Sequence, residues 1–83
     1  MARFYLNIHN GIGLVKDEEG REFAGLSQAR EAAIEGIRSL VSEDAKMGLL
    51  DLTGRIEIVD AEGNVLCEVP YEEAMDLRTA RTR

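Results

Sequence analysis

RIEIVDAEGNVLCEVP, residues 55–70, is the stretch on which the fold turns. Two runs rich in β-branched residues flank Asp60-Ala61-Glu62-Gly63, which suits a type I turn with glycine in the left-handed position. The stretch therefore reads as a hairpin of strands 55–60 and 64–69. Its register decides which residues need cover. With Asp60 opposite Asn64 and strict alternation, Ile56, Ile58 and Leu66 share one face, while Val59, Val65, Cys67 and Val69 share the other with Glu57. Both faces are then apolar, and one helix covers only one of them.

Upstream lies that helix. Ser27 is a good N-cap, its hydroxyl able to accept from the free amides of a first turn. Leu26, Ala33, Ile34, Ile37, Leu40, Val41 and Ala45 fall on one side, and Gln28, Glu31, Glu35, Ser39, Ser42 and Lys46 on the other, with Gly48 as the stop. The spacing predicts an amphipathic helix over 27–47. Nearer the N-terminus, RFYLNIH (3–9) alternates, Phe4, Leu6 and Ile8 pointing one way and Arg3, Tyr5, Asn7 and His9 the other. Asn10-Gly11 breaks this strand into a loop, and a brief strand follows near 21–24. Pro70 ends the last strand, and Tyr71, Ala74, Met75 and Leu77 mark a short helical turn within 70–78. The expected fold is α+β in ββαββ order: a small antiparallel sheet, the long helix on one face, and one domain over 1–77.

Composition narrows the functions. Of sixteen acidic and ten basic residues, all the acids and seven bases lie in 1–77, giving 7 − 16 = −9. The last six residues, RTARTR, return +3. An acidic body repels phosphate backbones and acidic lipid surfaces, which disfavours broad nucleic-acid or membrane binding. No apolar run approaches the ~20 residues that span a bilayer, and the alternating N-terminal segment is no signal sequence. Cytoplasm is the expected compartment. The single cysteine excludes an internal disulfide and a cysteine-based zinc cluster.

Several motifs invite a chemical reading. Gly11-Ile12-Gly13 resembles a phosphate loop, but such loops deliver their amides straight into a helix, and here the helix starts about fourteen residues later. Asp17-Glu18-Glu19-Gly20 lacks the alternating oxygens and flanking helices of a calcium loop, so it reads as a solvated turn. His9, the lone histidine, is a conceivable general base, and a pairing with Cys67 is open from sequence. Neither carries the local signature of an activated nucleophile, and a cysteine among valines reads as a small hydrophobe. No catalytic, cofactor-binding or metal-binding residue is therefore assigned.

The order of features resembles a family of short bacterial proteins known only as a domain of unknown function. Arg3-Phe4-Tyr5-Leu6-Asn7-Ile8 is similar to its Arg-Tyr-Tyr-Phe-Asp-Leu opening. Asp17-Glu18-Glu19-Gly20-Arg21-Glu22-Phe23 resembles its Asp-x-Glu-Gly-x-Glu-Leu segment, and Ala29-Arg30-Glu31-Ala32 its early helix. Glu57-Ile58-Val59-Asp60 through Gly63, closing with Val69-Pro70-Tyr71, resembles its final hairpin, where phenylalanine usually replaces the tyrosine. The likeness covers almost the whole chain to Leu77, implies the same ββαββ order, and brings no activity or ligand. His9 and the arginine tail are departures from it.

The expected function is a non-enzymatic protein-interaction or regulatory module. The alternative is a nucleic-acid-associated protein using the tail at Arg78, Arg81 and Arg83. The chain is expected to be a homodimer, with Val59, Val65, Cys67, Val69 and Tyr71 as the candidate dimer or partner face. Burying about 400 Å² of such a stripe contributes on the order of 10 kcal/mol before association costs. The rival is that Tyr71, Met75 and Leu77 fold back over the stripe.

Overall fold

The computed structural model describes residues 1–76. Leu77, the basic segment 78–83 and its arginines Arg78, Arg81 and Arg83 lie outside the described residues. The elements are β1 (Ala2–Asn10), β2 (Gly13–Val15), β3 (Arg21–Phe23), α1 (Leu26–Lys46), β4 (Arg55–Val59), β5 (Val65–Pro70) and a 3-10 turn at Tyr71–Ala74. The class is α+β as expected, with a wholly antiparallel sheet ordered β2-β1-β4-β5 and β3 also paired to β1.

One strand more appears than the sequence predicts. Residues expected as a loop form β2, because Asn10 Oδ1 accepts from the amides of Ile12 (2.9 Å) and Gly13 (3.2 Å) and folds the chain back on itself. β2 and β3 are two pieces of one edge. Ile8 faces Val15 and Phe4 faces Arg21, so four steps along β1 (8 − 4) are matched by six on the other side (21 − 15). The two extra residues lift a loop off the edge, and Asp17 braces it. Its Oδ2 accepts from the Leu6 amide (3.1 Å), its Oδ1 from the Gly20 amide (3.0 Å), and its own amide donates to Asn7 Oδ1 (2.9 Å). Gly20 has φ +70°, and an added Cβ would stand 2.8 Å from the Tyr5 ring and 3.0 Å from the Phe4 carbonyl oxygen. Only glycine fits there. The acidic run is thus turn chemistry, but Asp17 is a half-buried brace rather than a purely solvated residue.

The helix begins one residue before the predicted cap. Gly25 is the N-cap, extended at φ −172°, with no side-chain cap bond, so Ser27 sits inside the first turn. Its C-terminal end follows expectation: Gly48 (φ +88°) donates to the Ala45 carbonyl (2.9 Å) and Leu49 to that of Asp44 (3.0 Å), a Schellman closure. The buried row is Ala29, Ala33, Ile37 and Val41, narrower than the predicted stripe; Leu26, Leu40 and Ala45 are exposed. Two small alanines let the helix sit close to the sheet, at the cost of reach.

The hairpin corrects the predicted register. Its turn is as expected: Gly63 (φ +90°) donates to the Asp60 carbonyl (3.1 Å), Asp60 donates to Asn64, and the Asp60 carboxylate accepts from the amides of Glu62 and Asn64. Those bonds hold the Asp60 carboxyl below the ordinary carboxylate range, the Asn64 amide foremost. Val59 then pairs with Val65, but Ile58 pairs with Cys67, leaving Leu66 as a bulge. The extra residue shifts the phase by one. Cys67 and Val69 swing onto the face of Ile56 and Ile58, and Val69 is 0% exposed. The expected outer stripe does not exist as a unit: Val69 and Tyr71 are core, Cys67 is half-buried against it, and only Val59 and Val65 stay on the outer face.

The core therefore lies between the sheet's inner face and α1, with Phe4, Phe23, Ile56, Ile58 and Val69 below and Tyr71 and Ala74 at one side. The 3-10 turn is tied to the helix by Arg38 Nε donating to the Ala74 carbonyl (2.8 Å) and by the Arg30–Glu73 pair (2.9 Å). Tyr71 donates its amide to the Gly54 carbonyl (2.9 Å) and packs where a side chain on residue 54 would stand. So the C-terminal turn, over its described residues, closes the flank of the helix and does not fold back over the outer sheet face as the rival reading expects.

Candidate interaction surface

The centre of the sheet's outer face is polar, with Leu14 and Val65 exposed towards its two edges. Tyr5, Asn7 and His9 of β1 stand opposite Val59, Glu57 and Arg55 of β4, with Glu68 beyond. Asn7 is only 7% exposed because the Asp17 loop lies over it. Its Nδ2 donates to Glu57 Oε1 at 3.5 Å, and His9 Nε2 lies 3.5 Å from the same oxygen without forming a hydrogen bond. Arg55 and Glu68 stand 3.6 Å apart. Cys67, which faces the helix side, is divided from His9 by the sheet itself, so the Cys–His pairing left open by the sequence is not formed. Among the described residues no cluster of three or more His, Cys, Asp or Glu side chains is placed to hold a metal ion, and no helix is long and apolar enough to cross a membrane.

The inner face is where cover is incomplete. Held on one flank by the 3-10 turn, α1 packs more closely over β4 and β5 than over β1. Its other flank stands over β1 and leaves a groove of about 360 Å³, floored by Leu6, Ile8 and Ile56 and walled by Ala32, Gly36 and Leu40, with Arg21 at one end. Val15, opposite Ile8 and so on the same side, is half exposed. A second hollow of about 310 Å³ continues past the helix C-terminus. It is lined by Asn10, Ile12, Leu49 and Tyr71 and by the carboxylates Asp44 and Asp51. Leu40 borders both hollows, which follow one another along β1 as a trough with Arg21 at one end and Asp44 and Asp51 at the other.

The local chemistry of the acidic end is defined. The side-chain hydroxyl and amide of Thr53 both donate to Asp51 Oδ1 (2.6 and 3.0 Å), hydroxyl foremost, and hold its carboxyl below the usual range. Burial pushes the Tyr71 phenol up, while a hydrogen bond with the Asn10 side chain opposes the shift. Both groups keep their ordinary charge at neutral pH, so the end stays acidic.

Sequence reading missed the residues of this trough. The sequence places Leu6, Ile8 and Leu40 only on the apolar sides of a strand and a helix, and Ile12, 96% exposed at the β1–β2 tip, in a loop. One signal was present. Gly36 sits in mid-helix, where glycine costs about 0.5–1 kcal/mol relative to alanine. Among the described residues nothing requires it, since an added Cβ would meet only Ile56 Cδ1, at 4.0 Å. What glycine does there is open the trough wall.

Comparison with known families gives a match over most of the chain. The model of the family described as Domain of unknown function (DUF6894) matches residues 3–72. No curated protein and no solved structure matches the chain.

Proposed function

Since the chain belongs to the family Domain of unknown function (DUF6894), which brings no activity with it, we propose from its own geometry that it is a non-enzymatic protein-interaction module. It works in the cytoplasm as a small regulatory or accessory unit, and the trough between α1 and β1 is its contact surface. The observation that carries this reading is the only partly covered apolar floor of Leu6 and Ile8 beneath a helix wall thinned by Gly36. Exposed apolar ground with charged ends is the common form of a protein contact site, where a buried centre supplies affinity and rim charges supply orientation.

The reading is tested by recovering bound proteins from native cell extract with the wild-type chain and with Gly36→Gln. Glutamine is a better helix former than glycine, so the fold is preserved while its side chain occupies the trough. A specific bound protein, this chain itself included, that is retained by the wild type and lost with the variant is the expected result. Identical recovery by both chains sinks the reading.

A further inference from the structure

Resting on that reading of the trough, we infer that its occupant is a second copy of this chain, seated antiparallel about a two-fold axis near Leu40. The trough is asymmetric in charge along its length. Arg21 marks the end beside Phe4, and Asp44 and Asp51 mark the end beside Asn10. Turning a copy end for end over the trough brings Arg21 of each chain to Asp44 and Asp51 of the other, and the two contacts form together. A parallel seating would set like charges against each other. Isologous pairing of this kind needs one patch complementary to itself under a two-fold rotation, and this trough meets that condition.

The apolar residues are distributed to suit. Leu40 lies at the centre, common to both hollows, while Ile12 and Leu49 stand out at the acidic end and Val15 beside the floor, all at least half exposed. These projecting side chains have a groove to enter on the facing copy, because Ala32 and Gly36 leave its wall low. Gly36 is then explained: its cost to the helix is offset by letting the facing chain approach the backbone. The overall charge of −6 opposes any pairing, which is why a register that places the basic end on the acidic end matters.

Sedimentation equilibrium on the full chain, from roughly 1 to 200 μM, tests the pairing. The expected wild-type mass rises with concentration from 9.2 kDa towards twice that value. Gly36→Gln raises the dissociation constant at least ~10-fold while leaving helicity intact or higher. Arg21→Glu raises it by about 10-fold, and Arg21→Glu with Asp44→Lys recovers about 3-fold of that loss, because the contact of residue 21 with residue 44 is restored in both directions with its signs exchanged while Asp51 keeps its charge.

A mass of 9.2 kDa at every concentration overturns the inference. A dimer indifferent to Gly36→Gln does so too, by placing the interface elsewhere, and a charge-exchanged chain that fails to recover overturns the antiparallel seating. Failure here is distinguishable from failure of the broader reading. A monomer that still loses bound cellular proteins with Gly36→Gln overturns self-pairing alone, whereas a monomer whose bound proteins ignore Gly36 overturns both.

Discussion

Val69→Ala and Val65→Ala differ by four residues and by the bulge between them, and together they test the register of the hairpin. Under strict alternation the two valines share a face and an environment, so the substitutions cost alike. In the structure Val69 is 0% exposed against Ile56, whereas Val65 is 52% exposed opposite Val59. Removing two carbon groups from a fully buried site costs about 1.6 kcal/mol in transfer free energy, and the cavity left behind brings the total to about 2–3 kcal/mol. The half-exposed site loses about 0.5 kcal/mol or less from burial. Loss of β-propensity on going from valine to alanine affects both positions and largely cancels in the difference.

A chain of this size has roughly 4–12 kcal/mol of stability, so both variants stay folded. Urea unfolding followed by far-ultraviolet circular dichroism, at one fixed protein concentration, reads the effect. With a slope of about 1–1.5 kcal/mol per M, Val69→Ala lowers the midpoint by about 2 M and Val65→Ala by about 0.3 M. Equal shifts, or a larger one at Val65, would refute the bulge and return Val69 to the outer face.

Three further outcomes are expected. Asp17→Ala leaves the part-buried amides of Leu6 and Gly20 without acceptors and costs about 2–3 kcal/mol, a fall of roughly 10–15 °C in Tm by calorimetry; a change under 3 °C contradicts the brace. Two glycines should respond with opposite signs: Gly36→Ala raises Tm of the dilute chain, while Gly20→Ala, at φ +70° with the Tyr5 ring 2.8 Å from the added carbon, lowers it by more than about 1 kcal/mol equivalent. Stability should also fall at both ends of the pH scale. The folded carboxyls of Asp51 and Asp60 lie below their ordinary 3.8, so their contribution is present above that value and lost as pH drops through the folded values. The folded phenol of Tyr71 lies above its ordinary 10.0, so its contribution is present below pH 10 and lost as pH rises through the folded value. Asp60→Asn flattens the acid limb and Tyr71→Phe the alkaline one, and a variant with an unchanged limb contradicts the assignment.

The legible parts of the fold were those where chemistry admits one solution. Helical periodicity from Ala29 to Val41 and glycine at 48 fixed α1 to within a residue or so at either end. Asp60 and Gly63 likewise fixed the hairpin turn, since one caps the loop with its carboxylate and the other takes positive φ. The bulge was illegible because Val65, Leu66, Cys67 and Val69 are all apolar, so either phase of the strand presents a suitable inner face. β2 escaped notice because three exposed residues carry no burial pattern. The trough was hidden for a related reason: Leu6, Ile8 and Leu40 look like core from sequence, and only the position of the helix over the sheet shows that they are not fully covered.

That position has an identifiable cause, and it links the hairpin to the trough. The bulge turns Cys67 and Val69 inward, which gives β5 an apolar inner face for the helix to cover. Pro70 then hands the chain directly into the 3-10 turn, whose Ala74 carbonyl and Glu73 carboxylate take Arg38 and Arg30 on the helix flank above β5. Both features draw α1 towards the β4–β5 side. A helix whose buried row is four residues of modest width cannot also reach across β1, so the deficit in cover appears at Leu6 and Ile8. An in-phase β5 would have kept Val69 on the outer face and lost the reason for the helix to lie where it does. The surplus apolar surface read from the sequence is therefore real in amount but displaced. One extra residue in β5 moves it from the back of the hairpin to the flank of the helix, between a basic end and an acidic one.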